Sequence, residues 1–314
     1  MDKTLKRNFS KIGLAYLVFV GASQILSTIL MMLIYTFFSS IVPDTVLMRM
    51  ILLYAATYLI AFPLFLLVMH FIPNQELPPS MNVKVPFHQI FMLFFVGMSV
   101  TIIVSLAFNF LFLLFSGEPY NPIADVLTEL DLVPVLIFTC IIAPIIEEII
   151  FRKVLYKKIS AYGSTVYMVS SALFFSLFHL NLSQSTYAFF LGLVLAWIMY
   201  RTGNIIYPIL FHFAANVLGG SISLFLLEVL DETVAIMISG ILNLFVFVLG
   251  IVFAIFIGIN IRNGKFNFFH KGNLPKPNWS TVFANPGYIL FISIIGVLIL
   301  FAFAIDILAR IGIV

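Results

Sequence analysis

The chain has 314 residues, of which 62% are hydrophobic and only 9% are charged. This composition, with a mean hydropathy of +1.16, excludes a soluble globular domain, in which about 45–50% apolar residues are usual. The formal net charge of +3 gives no reason to expect a nucleic-acid partner, and the single cysteine, Cys140, excludes an intramolecular disulfide. We therefore expect an integral membrane protein in contact with the lipid bilayer.

Nine long apolar segments predict membrane-spanning helices, because about 20 helical residues cross the hydrocarbon core of a bilayer. They lie at residues 12–41, 49–73, 88–116, 132–160, 163–182, 185–202, 204–228, 233–262 and 287–313. The runs are continuously apolar rather than alternating, which favours helices over strands. The prediction is an all-α, polytopic helical bundle forming a single membrane domain over residues 1–314, with nine spans or, as the alternative, eight.

The distribution of positive charge predicts the orientation in the membrane. If the N-terminus is cytoplasmic, all 16 Lys and Arg residues except Arg49 and Arg310 fall on the cytoplasmic side. We therefore expect a cell-membrane protein with its N-terminus inside and its C-terminus outside. The first apolar run is too long for the core of a cleavable signal peptide, so it is expected to stay as a spanning helix.

Ionisable and amide side chains concentrate in three of the predicted helices. Because such groups are costly inside a bilayer, they are candidates for a functional site. They are Glu147, Glu148 and Arg152 in "EEIIFR", His179 in "FSLFH", and His212 and Asn216 in "HFAAN". Glu148 and Arg152 are one helical turn apart, which predicts an ion pair along one helix face. The alternative is that these groups only hold helices together through hydrogen bonds.

Distances along the chain predict the depth of these groups. Glu147 and His179 each lie 16 residues from Gly163, so a hairpin turning at Gly163 places them level with each other. His212 lies only 9 residues after the next turn at Gly203. It reaches the same depth only if the first hairpin projects about 10 Å further into the cytoplasm. The site would then open towards the cytoplasm.

The residue types suggest hydrolysis. A glutamate and a histidine in a poorly hydrated pocket can activate water, while a second histidine and an amide can stabilise an oxyanion. Zinc is the alternative cofactor, with Glu147, His179 and His212 as ligands, although the chain has no His-Glu-x-x-His motif. A covalent mechanism is less favoured, because the chain has no Gly-x-Ser-x-Gly motif and no base for Cys140 is visible in the sequence.

In order and spacing, these three motifs resemble those of the CPBP (CAAX protease and bacteriocin-processing, or Abi) family of intramembrane proteases. The resemblance covers about residues 130–220 and implies a catalytic four-helix core there, with accessory helices in residues 1–120 and 233–314. It implies that Glu147 and His179 activate water without a cofactor, that His212 and Asn216 form the oxyanion site, and that Glu148 and Arg152 support them. One departure is Lys153, where many members have glycine.

The sequence thus predicts an intramembrane endopeptidase that hydrolyses a hydrophobic or membrane-associated peptide. The alternative within the same family is a non-catalytic bacteriocin-immunity protein or a membrane scaffold or sensor, for which a membrane protein would be the partner. A transporter that uses the glutamates as a proton relay is a third reading, and no internal repeat supports it.

Overall fold

The computed structural model describes residues 3–76, 85–116 and 132–310. Throughout these ranges the regular structure is helical, without strands, which confirms the all-α prediction. The helices are α1 (Lys3–Phe37), α2 (Val46–His70), α3 (Phe87–Ser116), α4 (Leu132–Tyr162), α5 (Ser164–Phe178), α6 (Leu182–Thr202), α7 (Ile206–Val229), α8 (Glu232–Arg262), the short α9 (Trp279–Phe283) and α10 (Pro286–Arg310).

Among the described residues, eight helices are long and apolar enough to cross a membrane. Each of the nine predicted segments contains a helix, but the fifth, α5, has only 15 residues. At 1.5 Å per residue it is about 22 Å long, which is shorter than the roughly 30 Å hydrocarbon core. The predicted turns before α5 and after α6 are confirmed at Gly163 and Gly203. The φ angles of these residues, 104° and 63°, are positive and therefore suit glycine.

Polar residues at the expected positions begin several helices. The side chain of Asn181 accepts a hydrogen bond from the Gln184 backbone N–H at 2.9 Å and begins α6. Asp231 accepts from the Thr233 backbone N–H at 2.9 Å and begins α8. Such caps satisfy backbone donors that the first helical turn leaves free.

Small residues bring the helices into close contact. Gly192 of α6 lies against Ala172 of α5, where an added methyl group would stand 3.1 Å from the Ala172 Cα. Gly13 of α1 and Gly287 of α10 also meet so closely that a side chain on Gly13 would collide with the Gly287 backbone. Such contacts are typical of membrane helices, which gain stability from close packing rather than from removing apolar surface from water.

Stacked aromatic rings fill the interior where α1, α2, α4, α5 and α10 meet. The rings of Tyr16 and Phe174 stack at 4.0 Å between centroids, and Phe151 stacks on Tyr16 at 5.6 Å. Large apolar side chains are exposed on the outer surfaces of the helices, including Ile241 and Leu244 of α8. This arrangement suits a bundle with an apolar core and a lipid-facing surface.

Three long helices contain wider π-helical turns, and these lie around one region of the bundle. The π segments are Ala55–Ala61 in α2, Leu136–Ile142 and Ile149–Val154 in α4, and Val217–Ser221 in α7. Turns of this kind are rare and are frequent at functional sites. The two π segments of α4 flank Glu147 and Glu148, and the π segment of α7 directly follows Asn216.

Candidate active site

Helix α4 supplies the two glutamates, and the π segment Ile149–Val154 begins directly after Glu148. A change in helical pitch alters the backbone hydrogen bonds, so neighbouring side chains must satisfy freed carbonyl groups. Three buried hydroxyl groups donate to them: Tyr16 to the Ile150 carbonyl at 2.9 Å, Ser171 to Phe151 at 2.8 Å and Tyr167 to Arg152 at 3.2 Å. Helices α1 and α5 thus hold the distorted turn that carries the site.

Glu148 binds two cationic or potentially cationic groups at once. Its Oε1 lies 3.0 Å from Nη1 of Arg152 and 2.8 Å from Nδ1 of His212. The side chains of Glu148 and Arg152 are both fully buried, so the predicted ion pair is confirmed. Because a carboxylate accepts hydrogen bonds, His212 donates through Nδ1, and its Nε2 faces away from Glu148.

Glu147 lies on the other side of the His212 ring. Its Oε2 is 3.9 Å from His212 Nε2, and its Oε1 accepts a hydrogen bond of 3.3 Å from the hydroxyl of Tyr58. The Glu147 side chain retains 10% of its exposure, whereas Glu148 retains none. Of the two carboxylates, Glu147 is therefore the one that a water molecule or a substrate can reach.

The ring of Phe175 contacts Arg152 and both histidines. The guanidinium carbon of Arg152 lies 4.1 Å from the centroid of this ring. The rings of His179 and His212 meet it edge-on, with centroids at 4.8 and 5.4 Å. His212 therefore lies at the same depth as Glu147, Glu148 and Phe175, although it is fewer residues from its turn than they are from theirs.

His179 lies in the turn between α5 and α6 rather than inside a helix. Its Nδ1 lies 2.8 Å from the backbone oxygen of Phe175. Since a carbonyl only accepts, Nδ1 carries the proton, which leaves Nε2 of the neutral ring as an acceptor. The next residue, Leu180, has a φ of 53°, a left-handed conformation that is uncommon for leucine and ends α5 at this point.

Asn216 has a separate set of contacts. It follows His212 by one turn of α7, and its Nδ2 donates a hydrogen bond of 2.7 Å to the carbonyl oxygen of Thr139 in α4. One amide N–H remains for another acceptor. Asn216 is therefore anchored to the backbone of α4 and leaves the ion pair and the two histidines to other partners.

The charges of the cluster leave room for one extra proton. Two carboxylates against one guanidinium give a net charge of −1 when His212 is neutral. A net charge in a buried site is costly. A proton on His212 Nε2 or on Glu147 Oε2, which are 3.9 Å apart, would make the cluster neutral. These two atoms are too far apart for a direct hydrogen bond, so the space between them suits a bridging water molecule or a group of the substrate.

The arrangement can also be compared with that of a metal site. In the described part of the chain, no three His, Cys, Asp or Glu side chains converge as ligands of a metal ion would. Both histidines do direct Nδ1 to an oxygen and leave Nε2 free, a pattern shared by metal ligands and general bases. The donor atoms of Glu147, His179 and His212 thus have the chemistry of zinc ligands as well as that of a general base.

Two residues that contact the site, Tyr58 and Thr139, were not predicted from the sequence. Tyr58 comes from α2, far from the motifs in the chain, and Thr139 contributes only a backbone oxygen. A weak signal for Tyr58 existed, because Tyr54 and Tyr58 are two polar aromatics one turn apart in an apolar helix. A backbone acceptor leaves no signal in the sequence.

Comparison with known families agrees with the motifs. Residues 129–218 match the family described as Type II CAAX prenyl endopeptidase Rce1-like. The matched region contains all six candidate residues, from Glu147 to Asn216, and confirms the resemblance to the CPBP family. No curated protein and no solved structure matches the chain.

Proposed function

We propose that this multi-pass membrane protein, whose residues 129–218 belong to the CPBP family, is a glutamate-dependent intramembrane endopeptidase. The observation that carries the proposal is the position of His212 between two glutamates. Its Nδ1 is 2.8 Å from Glu148 and its Nε2 is 3.9 Å from Glu147. A histidine held by one carboxylate and facing another is a common way to prepare a proton-transfer site.

Glu147 is the proposed general base. A water molecule within hydrogen-bonding distance of its Oε2 would give up a proton to the carboxylate as its oxygen attacks the carbonyl carbon of the scissile peptide bond. His179 supports this step, because its Nε2 is a free acceptor. The carbon–nitrogen bond then breaks, and Glu147 returns the proton to the leaving amine.

His212 and Asn216 are the proposed oxyanion donors. A protonated His212 presents an N–H at Nε2 while Glu148 accepts from Nδ1, and Asn216 retains one free amide N–H. Buried donors aimed at a developing negative charge are more effective than the same groups in water. Glu148 and Arg152 act as positioning residues, since they fix the His212 ring and balance its charge.

The proposed substrate is a hydrophobic or membrane-associated peptide, because the site lies within a helical bundle whose outer surface is apolar. A prenylated peptide is one candidate, given the description of the matched family. In the proposed orientation the N-terminus is cytoplasmic, the protein lies in the cell membrane and the site opens to the cytoplasm. The positions of the Lys and Arg residues support this orientation.

The test is cleavage of a fluorogenic prenylated peptide by the full-length protein in detergent. Glu147→Gln, His179→Ala and His212→Ala should each lower kcat/KM by about 10²–10⁴-fold, the usual contribution of a general acid or base. His88→Ala is the matched control, because His88 lies near the start of α3, and it should retain full activity. Full cleavage by all three site variants would overturn the mechanism.

The same variants separate the protease from a non-catalytic immunity or scaffold protein. For the non-catalytic function, Glu147→Gln should still protect cells or still bind the membrane partner. Elemental analysis of the purified protein tests the zinc alternative. The metal-free proposal expects less than one equivalent of zinc and activity that a chelator leaves unchanged, whereas one zinc lost together with activity would support Glu147, His179 and His212 as ligands.

A further inference from the structure

A second polar feature lies away from the candidate active site. A cleft of about 310 Å³ separates the C-terminal part of α2 from the second half of α4. Its polar lining includes His70, the last residue of α2, and Lys157, five residues before the end of α4. The cleft is thus at the ends of two spanning helices, where a bilayer has its headgroups.

Two hydrogen bonds join the walls of this cleft. The Nζ of Lys158 donates to the carbonyl oxygen of Ile72 at 2.6 Å. The backbone N–H of Gln75 donates to the carbonyl oxygen of Lys157 at 2.8 Å. These bonds tie the segment that follows α2 to α4, so the cleft is preformed rather than created by a ligand. Preformed sites lose less entropy on binding.

The polar end of the cleft is positively charged. Lys153, Lys157 and Lys158 line it together with His70, and none of the lining residues is acidic. Lys153 and Lys157 are exposed, and no ion pair in the described part of the chain joins them to a carboxylate. Their charges are therefore available to an anion from outside the protein.

The other end of the cleft is apolar and faces the outer surface of the bundle. Leu66 and Ile149 line it, and Leu66 and its neighbour Leu67 are exposed by 39% and 56%. From Ile149 to Lys157 the wall of α4 extends about 12 Å. The cleft therefore runs from a cationic end at the membrane surface to an apolar end at acyl-chain depth.

We propose that this cleft binds an anionic phospholipid, with its phosphate between Lys153 and Lys157 and an acyl chain against Leu66 and Ile149. A free anion would use the cationic end alone and would gain nothing from the apolar end. Clusters of lysine beside a spanning helix attract anionic headgroups through charge. The preformed cleft adds a shape that an exposed lysine cluster lacks.

The cleft is separate from the candidate active site, so this proposal does not rest on the proposed function. Lys153 is exposed, whereas its neighbour Arg152 is fully buried beside Glu148. Successive residues of α4 thus point to different sides, one towards the cleft and one towards the site. A lipid is favoured over a substrate peptide because none of the residues of the proposed catalytic site lines the cleft.

Native mass spectrometry of the full-length protein tests the proposal, with phosphatidylglycerol and phosphatidylcholine of the same acyl chains as probes. The unmodified protein should prefer phosphatidylglycerol. The double variant Lys153→Gln/Lys157→Gln should bind it roughly 30-fold more weakly, given the usual attraction of one lysine for an anionic headgroup. Its affinity for phosphatidylcholine should be unchanged.

The matched control is Lys265→Gln/Lys271→Gln, which removes the same charge from two exposed lysines in the segment between α8 and α9. This control should bind phosphatidylglycerol like the unmodified protein. The proposal is overturned if Lys153→Gln/Lys157→Gln binds it as tightly as the unmodified protein, or if the control loses as much affinity. Displacement of the lipid by inorganic phosphate would also overturn it, because the cleft would then be a site for a free anion.

Discussion

The hydroxyl of Tyr58 donates a hydrogen bond of 3.3 Å to Oε1 of Glu147. Tyr58 belongs to α2, outside residues 129–218, the part of the chain that matches a known family. A helix outside the matched region therefore contacts the carboxylate that we propose as the general base. Both residues are buried, which strengthens a hydrogen bond to a charged group.

Tyr58→Phe should lower kcat for peptide cleavage by about 10-fold, because a hydrogen bond to a charged group contributes roughly 1.5–3 kcal/mol and this one is long. KM should change little, since the hydroxyl contacts Glu147 rather than the substrate. Tyr54→Phe is the control, because Tyr54 contacts the Tyr58 and Phe138 rings at 5.1 Å and should keep its activity. Equal losses in both variants would argue for a packing effect.

Glu148→Gln should destabilise the protein by about 3–5 kcal/mol, because it leaves the buried guanidinium of Arg152 without its counter-charge. The double variant Glu148→Gln/Arg152→Met should lose less free energy of unfolding than the sum of the two single variants. Unfolding in mixed micelles with increasing SDS measures these values.

A partly exposed pair provides the control for this measurement. Asp306 and Arg310 have the same spacing along a helix and lie 3.5 Å apart, but their side chains are 31% and 21% exposed. Asp306→Asn should therefore cost less than about 1 kcal/mol. If it cost as much as Glu148→Gln, burial would not be the reason for the large effect.

Phe175→Leu should lower catalytic activity more than it lowers stability. Its ring contacts Arg152 at 4.1 Å and both histidines, so its loss frees three side chains of the site. A desolvated cation–π contact contributes about 2 kcal/mol, which corresponds to an activity loss of roughly 10-fold or more if it holds the site in place.

The adjacent Phe174 is the matched control, since it packs on Tyr16 at 4.0 Å and on Tyr288 at 4.8 Å. Phe174→Leu should lower the unfolding midpoint and leave the activity of the folded fraction unchanged. A loss of activity in Phe174→Leu as large as in Phe175→Leu would contradict the specific role of the Phe175 ring.

Gly287→Ala should weaken the contact between α1 and α10. The added methyl group would collide with the backbone carbonyl of Ser10, whereas the same change at Gly296 meets nothing within 4 Å. We expect Gly287→Ala to lose about 1–3 kcal/mol of stability, as overpacked positions do. Gly296→Ala should lose none, and thermal unfolding of both variants in detergent measures the difference.

Helix positions and the turn at Gly163 could be predicted well, because both follow from local chemistry. Long apolar runs form helices in a bilayer whatever their neighbours are, and glycine tolerates a positive φ. The short α5 was predicted less well. Its apolar sequence continues through Leu182, but the left-handed Leu180 ends the helix at Phe178, and leucine gives no warning of this.

By itself, the sequence determined an all-α membrane bundle, the ion pair of Glu148 with Arg152, and a set of polar residues too costly to bury without partners. Spacing within one helix sufficed for these, because residues four apart share a face. Only the tertiary structure decided which groups meet across helices: His212 with both glutamates, Phe175 with His212, Tyr58 with Glu147 and Asn216 with a backbone oxygen. These contacts depend on the rotation and the axial position of each helix relative to its neighbours. Both are determined by the close packing of all the helices at once.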